Sequence, residues 1–377
     1  MYDLIVIGGG IVGMSAAYHA VAAGARTLLV DRGDAGKASL AGAGILAPET
    51  SAIESDDWYS LAIAAVDYYP QLVAQLKAQG IAETGYAPTR SLIVAVSPDE
   101  DERFAKAQEH MQMRQQRFGR PAADQMYPLD TAAARQIFPP IADIRAGMGF
   151  HGAARIDAAT FMRAMQQVAQ QRHGLHIRRD TVERLIMQDD RITAIVVSGE
   201  RVTATAFLIA GGAWSPALAS QLRLNLPVVP QRGQIAHLLL PGVDTSDWPV
   251  ILAFHGHYMV PWPDNRMVVG ATREFVGYKA HTTAQGIHEL LAEALRVAPG
   301  LADASIGEVK VGLRPSSPDL LPILGHIPTV QNAFLATGHG ASGLQLGPYS
   351  GKLVAELALG REPANSLHAF SCDRFPA

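Results

Sequence analysis

Three glycines near the start of the sequence have the spacing of a phosphate-binding loop. They are Gly8, Gly10 and Gly13, in G-x-G-x-x-G register after the apolar run LIVI. In such a loop the first glycine allows a tight turn, the second lets the backbone approach a pyrophosphate, and the third lets the next helix pack closely on the strand. A helix over residues 11–23 would present its amide donors and positive dipole end to the phosphates. The spacing predicts a bound dinucleotide.

The residues after the glycines narrow the choice of dinucleotide. The strand TLLV ends at Asp31, where a carboxylate accepts hydrogen bonds from ribose hydroxyls and disfavours a 2′-phosphate. This favours NAD or FAD over NADP, although the neighbouring Arg32 weakens the argument. An NAD dehydrogenase would continue with further strand–helix–strand units. Instead the small-residue run KASLAGAGILAPETS follows at residues 37–51, which suits close backbone approach to a bulky ligand.

The composition indicates a globular protein and excludes several classes. Of 377 residues, 48% are hydrophobic and 18% charged, which suits two domains with large cores. The formal net charge is −4 and no basic block occurs, so no nucleic-acid partner is expected. The single cysteine, Cys372, excludes an intrachain disulfide and a cysteine-rich metal site, and no metal is predicted. No uncharged stretch reaches the roughly 20 apolar residues of a membrane span, so we expect a cytoplasmic protein, with peripheral contact at the inner membrane left open.

Further elements follow from local patterns. Residues 181–218 read as a β-meander that leads into a strand before Gly211-Gly212-Ala213-Trp214. Residues 257–272, HYMVPWPDNRMVVGAT, form a predicted hairpin that turns at Asp264-Asn265. Residues 230–240 are predicted as a strand, and residues 99–118 and 282–300 as helices. Near the end, a glycine-rich loop at residues 338–343 runs into a helix that starts near Leu344.

These segments together resemble one protein family. The opening DLIVIGGGIVGMSAAYHAVAAG, the loop AGAGILAP, the hairpin, GLRPSSPDLLPILG and FLATGHGASGLQLGPYSGKLVAEL are similar to the D-amino acid oxidase superfamily of FAD enzymes. Within it the sequence resembles glycine oxidase and bacterial D-amino acid dehydrogenases. The resemblance covers nearly the whole chain. It is most specific at the two ends and poorest over residues 99–145.

The resemblance implies an α/β fold of mixed character with interleaved domains. A Rossmann-like FAD-binding domain would comprise residues 1–87, 145–226 and 306–377. A substrate-binding domain with an antiparallel sheet would comprise residues 88–144 and 227–305.

The resemblance also implies non-covalent FAD and the residues that would hold it. Covalent relatives attach FAD through a cysteine just after the GLRP region, and residues 315–322 contain none. The valine matching Val182 would contact adenine through its backbone, and the amides of the C-terminal loop would face the flavin. His339 is either a flavin contact or an ordinary loop histidine. The predicted cofactor-binding residues are Gly8, Gly10, Ile11, Val12, Gly13, Asp31, Arg32, Ser39, Gly42, Gly44, Ile45, Leu46, Val182, Gly211, Gly212, Trp214, His339, Gly340, Ser342, Gly343, Leu344 and Gln345.

Two further residues match the family's substrate site. Arg314 in GLRP corresponds to the arginine that pairs with the substrate carboxylate, and Tyr258 in HYMVP to a tyrosine that hydrogen-bonds it. We predict these as the catalytic pair and nominate no general base. His255, His257 and Arg90 are expected to be solvated or structural. Glycine oxidase has a second arginine where this chain has Ala341, which leaves room for a larger amine such as D-proline.

The sequence therefore predicts an FAD-dependent amine oxidoreductase. Its substrate would be a small amino or imino acid: a D-amino acid, glycine, D-proline or an N-methyl glycine. A hydride would pass from Cα to flavin N5, and the imine would hydrolyse to an oxo acid. Oxygen and a quinone both remain open as electron acceptor, as does a homo-oligomer. The alternatives are a flavin domain that oxidises a glycine-like arm of modified tRNA, and the FAD subunit of a multi-chain dehydrogenase.

Overall fold

The computed structural model describes residues 1–375, which form two large β-sheets, one small sheet and a layer of helices. Within this range the strands are β1 Tyr2–Ile7, β2 Thr27–Val30, β3 Ile45–Leu46, β4 Tyr86–Ala95, β5 Met126–Pro128, β6 Ala146–Ile156, β7 His176–Arg178, β8 Val182–Gln188, β9 Arg191–Val197, β10 Glu200–Val202, β11 Ala204–Ile209, β12 Val229–Leu239, β13 Val250–Leu252, β14 Tyr258–Trp262, β15 Arg266–Gly270, β16 Ser305–Ser316, β17 Ile323–His326 and β18 Ala333–Thr337. The α-helices are α1 Ile11–Ala22, α2 Asp56–Ala78, α3 Asp101–Phe118, α4 Thr131–Ile137, α5 Ala158–His173, α6 Ser215–Ala219, α7 Ala284–Val297 and α8 Gly343–Ala358. The predicted α/β class is confirmed.

The six-stranded sheet carries the glycine loop and is buried on both faces. Its strand order is β17-β18-β11-β1-β2-β7, with β1 parallel to both β11 and β2 and only β17 antiparallel. In β1, Leu4 and Val6 pack against the helices, whereas Ile5 and Ile7 pack against the small sheet. This explains why β1 is a continuous apolar run, as parallel strands covered on both faces usually are.

The small sheet and the helical layer cover the two faces. Strands β8, β9 and β10 form a three-stranded antiparallel sheet, which confirms the predicted meander. On the other face α1 packs against α5 and α8, and α2 packs against α8. Among residues 1–375, no helix has the length and apolar character needed to cross a membrane.

The nine-stranded sheet forms the second half of the molecule. Its order is β16-β12-β15-β14-β13-β4-β6-β3, with β5 paired to β6. The predicted hairpin is confirmed as β14 and β15, and Asn265 takes a positive φ of 58° in the turn. The predicted helices at 99–118 and 282–300 are confirmed as α3 and α7, the latter capped by Thr283. Leu290, Ala294 and Val297 of α7 pack into a core beneath this sheet.

Some segments predicted for the FAD-binding domain belong to the nine-stranded sheet, so the division between the sheets departs from the predicted domain boundaries. Strands β6 and β16 lie in segments predicted for the FAD-binding domain, yet both are hydrogen-bonded into the nine-stranded sheet. The division into two functional domains stays a prediction. Strand β16 also bridges to the other half: Leu313 pairs with Lys37 and Ser316 with His339. This places β16 at the junction of the two large sheets.

Candidate active site

A cavity of about 650 Å³ lies at this junction. It is bounded by the carboxyl ends of β1 and β2, the start of α8, and residues of β12, β14 and β16. Its size falls in the usual range of cofactor and ligand pockets, about 300–1,000 Å³. Both predicted catalytic residues, Arg314 and Tyr258, line it. The predicted cofactor-binding residues that line it are Gly8, Gly10, Ile11, Val12, Asp31, Arg32, Ser39, Gly42, Gly44, Ile45, Val182, Gly211, Gly212, Trp214, His339, Gly340, Gly343 and Leu344.

The structure does not bring the other four predicted cofactor residues to the cavity surface. Gly13 lies against the Gly8 carbonyl beneath the loop. The Leu46 side chain is buried in the helical core. The Gln345 side chain accepts a hydrogen bond from Ala47 N at 3.0 Å, so it ties the 45–47 segment to α8. Ser342 lies between the lining residues at the start of α8, and its amide donates to the His339 carbonyl at 2.9 Å. A sequence motif does not say which of its side chains face the cavity, and a cofactor role for these four residues stays a prediction.

The glycine loop has the geometry of a backbone cradle. Gly8 has φ +112°, and a Cβ there would fall 2.6 Å from the carbonyl carbon of Ala210. Helix α1 starts at Ile11 after Gly10, which has no side chain to cap it. Instead the Ile11 amide donates to Ser39 Oγ at 3.0 Å. A helix N-terminus left open by glycines favours a negatively charged group such as a phosphate.

Asp31 lines the cavity beside this loop, just after the end of β2. Its carboxylate accepts hydrogen bonds from the amides of Gly9 and Gly33 and pairs with Lys37. Burial alone would raise the pKa of Asp31, but Lys37 and the two amides more than offset this and lower it. The carboxylate is therefore ionised and acts only as a hydrogen-bond acceptor.

The C-terminal loop forms another wall of the cavity. Gly338, Gly340 and Gly343 repeat the G-x-G-x-x-G spacing, and Gly338 and Gly340 have φ of +74° and +53°. His339 between them is buried, which lowers its pKa to about 4, so its imidazole is neutral at neutral pH. Its Nε2 has no hydrogen-bond partner within residues 1–375. A buried polar atom of this kind normally has a partner, and His339 is also a lining residue of the cavity.

Arg314 and Tyr258 meet in the part of the cavity lined by the nine-stranded sheet. Arg314 Nη1 donates to the Thr272 carbonyl at 3.0 Å and more weakly to Gln231 Oε1 at 3.4 Å. No carboxylate of residues 1–375 pairs with it. Burial lowers the pKa of Arg314 and Arg273 adds to this, but an arginine remains charged. Burial likewise raises the pKa of Tyr258, so its hydroxyl stays protonated and can donate a hydrogen bond.

Two glycines make room for this pair. Gly233 on β12 faces Arg314, and a Cβ there would overlap the guanidinium. Gly270 on β15 is the register partner of Tyr258, and a Cβ there would fall 2.6 Å from the tyrosine ring and hydroxyl. The side chains therefore lie over bare backbone, which leaves their polar atoms directed at the cavity.

Lys37, Tyr278 and Arg273 are among the lining residues that sequence reasoning missed. Lys37 pairs with Asp31, and Tyr278 donates to the Ala213 carbonyl at 2.9 Å beside Trp214. Arg273 follows β15 and shares the cavity with Arg314. The sequence signal that points to Arg273 is its position directly after the predicted hairpin at residues 257–272. The three residues expected to be solvated or structural, His255, His257 and Arg90, are not lining residues of the cavity.

The site fits a dinucleotide with a flavin. The Gly8 cradle and the open start of α1 suit a pyrophosphate, and Asp31 suits a ribose. The start of α8 and the unpartnered His339 Nε2 offer donors or acceptors to a polar ring system. Cys372 is buried and outside the cavity lining, where its thiol contacts the His326 carbonyl, so it offers no sulfur for a covalent link.

Comparison with known proteins decides the family. A model of the FAD dependent oxidoreductases, the DAO family, matches residues 3–357. The chain belongs to this family. It is an FAD-dependent oxidoreductase, as the resemblance of its motifs implied.

Several relatives share the fold over nearly the full chain. The chain is 31% identical to a glycine oxidase of Pseudomonas aeruginosa, over 96% of this chain and 95% of that protein. It superposes on an iminodiacetate oxidase from Chelativorans sp. BNC1 with a TM-score of 0.93 and 37% identity, covering 98% of both chains. It superposes on glycine oxidase from Geobacillus kaustophilus with a TM-score of 0.90 and 26% identity, covering 100% of this chain and 99% of the other.

Proposed function

We propose that this DAO-family enzyme oxidises the Cα–N bond of a small amino acid or N-substituted amino acid. The observation that carries the proposal is the partly buried Arg314 guanidinium, which has no carboxylate partner within residues 1–375 and lines the cavity together with Tyr258. Glycine oxidases and an iminodiacetate oxidase are among the similar proteins, and their names describe amines that carry a carboxylate.

Arg314 and Tyr258 would anchor the substrate carboxylate. Arginine presents parallel N–H donors that match the two oxygens of a carboxylate, and Tyr258 adds a third donor. Holding this end of the molecule orients the α-carbon, and such positioning accounts for much of the rate in reactions that need no new covalent bond to the enzyme. The neutral His339 adds no positive charge that would repel the substrate amine.

FAD, when bound, supplies the hydride acceptor at N5. The substrate loses a hydride from Cα and a proton from nitrogen, and the nitrogen lone pair becomes the new C=N bond. Water then adds to this bond and releases an oxo acid and an amine or ammonium. The predicted residues that line the cavity around the two glycine loops would hold the cofactor. Oxygen or a quinone as final acceptor, a homo-oligomer and a cytoplasmic location remain part of this proposal.

Anaerobic mixing tests the proposal directly. The FAD-loaded enzyme is mixed with glycine, sarcosine, D-alanine and D-proline, with L-alanine and L-proline as stereochemical controls, and flavin absorbance is followed. We expect at least one carboxylate-bearing amine to bleach the flavin. Air is then admitted. Fast recovery of the flavin absorbance would indicate that oxygen is the electron acceptor, and slow recovery would indicate another acceptor. An FAD-loaded protein that no amine reduces would contradict the proposed function.

A further inference from the structure

Arg273 is a second cation in the cavity that holds Arg314 and Tyr258. It lies just after β15, and its Nη1 donates to the Gly256 carbonyl oxygen at 3.2 Å. Its side chain is exposed at the cavity, and no carboxylate of the part of the chain described by the structure forms an ion pair with it. One carbonyl contact leaves most of the five guanidinium N–H donors free for a ligand.

The adjacent acid does not neutralise Arg273. Glu274 forms a salt bridge with Arg232 and accepts hydrogen bonds from Gln234 Nε2 and Thr272 Oγ1, each at 2.8 Å. These contacts, with Arg232 first among them, lower the pKa of Glu274 to about 2. Glu274 is therefore fully engaged on the side away from the cavity, of which it is not a lining residue.

The acids that do line the cavity belong to its other part. They are Asp31, Asp34, Asp180 and Glu183, which follow β2 or flank the start of β8 beside the glycine loop. The part lined by the nine-stranded sheet thus contains two guanidinium groups and, within residues 1–375, no carboxylate. The positive charge of Arg273 opposes that of Arg314 and contributes to its lowered pKa.

The backbone is shaped to keep Arg273 in this place. Gly256 has φ +81°, and a Cβ there would overlap Arg273 Nη1. The C-terminal loop contributes the uncharged Ala341 to the cavity lining. The second positive charge of the cavity is Arg273, which follows the β14–β15 hairpin. One substrate carboxylate can occupy Arg314 and Tyr258, while a second would be needed to neutralise Arg273.

We propose that Arg273 binds a second substrate carboxylate, so that the preferred substrates are small amines with two carboxylates, such as N-(carboxymethyl) amino acids. This rests on the proposed function, in which Arg314 and Tyr258 hold the first carboxylate. For iminodiacetate, the CH–NH unit gives up one hydride and one proton as FAD is reduced to FADH2. Water adds across the resulting C=N bond and yields glyoxylate and glycine.

The test compares ligands that differ in one charge. Iminodiacetate and its monoamide, N-(carbamoylmethyl)glycine, have nearly the same shape, and D-aspartate and D-asparagine form a second such pair. Apparent Kd is measured from anaerobic flavin reduction, which does not depend on the final electron acceptor. We expect the dianion to bind about 10- to 100-fold more tightly than its amide in at least one pair, as one charge-assisted contact would give.

Variants assign the preference to Arg273. We expect Arg273→Gln to abolish the difference in affinity between dianion and amide, and Arg273→Lys to retain part of it. Arg103→Gln is the matched control, because Arg103 is also exposed and donates to a nearby carbonyl, that of Phe254 at 2.9 Å, but is not a lining residue of the cavity. The control should keep the dianion preference.

The outcomes separate this proposal from the one on which it rests. Equal affinity for dianion and amide in the wild-type enzyme, or an equal loss for both in Arg273→Gln, would overturn the role of Arg273 while amine oxidation still stood. If no amine in either series reduced the flavin, the proposed function would fail, and the second carboxylate site with it. If only D-aspartate binds more tightly than its amide, the role of Arg273 is supported, and the second carboxylate that it binds is the one on the substrate side chain.

Discussion

The Arg314 guanidinium occupies space that any side chain at position 233 would fill. Arg314 lies on β16 and Gly233 on β12, and the two strands pair so that Gly233 is opposite Gly312. With no side chain at either of these opposed positions, the Arg314 guanidinium lies against the β12 backbone at Gly233. At the scale of single residues, the proposed carboxylate site depends on the missing side chain of Gly233 as much as on Arg314.

Replacing Gly233 by alanine should therefore displace the anchor. A Cβ would overlap the guanidinium, so Arg314 must move and lose its alignment with a substrate carboxylate. We expect substrate Kd, measured by anaerobic flavin reduction, to rise about 10- to 100-fold, with FAD content unchanged. Gly307→Ala on β16 is the control, since the new methyl would meet its nearest neighbours at 3.1 Å and Gly307 is not a lining residue of the cavity. An unchanged Kd in Gly233→Ala would show that Arg314 does not hold the substrate.

Helices α1 and α8 are the elements that aim at the cofactor cavity. Both start at the cavity, and they pack against each other along small residues. A Cβ at Gly351 would fall 2.8 Å from the Ala16 amide nitrogen, and Ser15 Oγ donates to the Pro348 carbonyl at 2.6 Å. Close packing of this pair fixes the distance between the two helix N-termini, and hence the span of the cofactor that fits between them.

Gly351→Ala should loosen this pair. The new methyl would press against the Val12 carbonyl and the Ala16 amide, both of them backbone atoms of α1. We expect a loss of about 1–3 kcal/mol in unfolding free energy, as for other overpacked cores, together with weaker FAD binding. Thermal unfolding of the FAD-free protein and FAD titration measure the two effects. Gly343→Ala is the stability control on the same helix, because its methyl would lie 3.6 Å from His339 Cβ, an ordinary contact. Equal melting temperatures for both variants would contradict the packing argument.

Buried neutral histidines are distributed over the whole molecule. His19 lies among the helices, where burial lowers its pKa to about 3 and Nε2 contacts the Tyr68 hydroxyl at 3.0 Å. His237 lies on the nine-stranded sheet and His339 in the cavity, and burial lowers the pKa of each to about 4. The unfolded chain takes up a proton at each histidine near pH 6.5, whereas the folded protein does so only at much lower pH.

Stability should accordingly depend on pH in a defined window. Between about pH 6.5 and pH 4 the unfolded state binds more protons, so the unfolding free energy is greatest above pH 6.5 and falls as the pH is lowered. We expect His19→Gln to reduce the slope of unfolding free energy against pH by up to about 1.4 kcal/mol per pH unit, which is the contribution of one bound proton. Urea unfolding at several pH values measures the slope, and His368→Gln, which replaces an exposed histidine, is the control. Identical slopes in wild type and His19→Gln would contradict this explanation.

Local sequence patterns determined several of the elements that surround the cavity. The unit from β1 through α1 to Asp31 occupies about thirty consecutive residues, so its glycine spacing and apolar periodicity predict it without reference to the rest of the chain. The same holds for the β14–β15 hairpin, whose turn at Asn265 needs a positive φ, and for the capped helix α7. Family resemblance added Arg314 and Tyr258, which no local pattern would have selected.

Only the tertiary structure decided which side chains share the cavity. Gln345 and Leu46 belong to cofactor motifs, yet their side chains are directed into the protein interior. Arg273 is prominent in no motif, and it becomes a candidate ligand-binding residue because β15 ends beside Arg314 and because Glu274 is already paired with Arg232. Such facts depend on strands that pair although more than a hundred residues separate them in the sequence, as β4 and β13 do in the nine-stranded sheet. Periodicity reports the surroundings of a residue along its own element, whereas long-range pairing sets its neighbours in space.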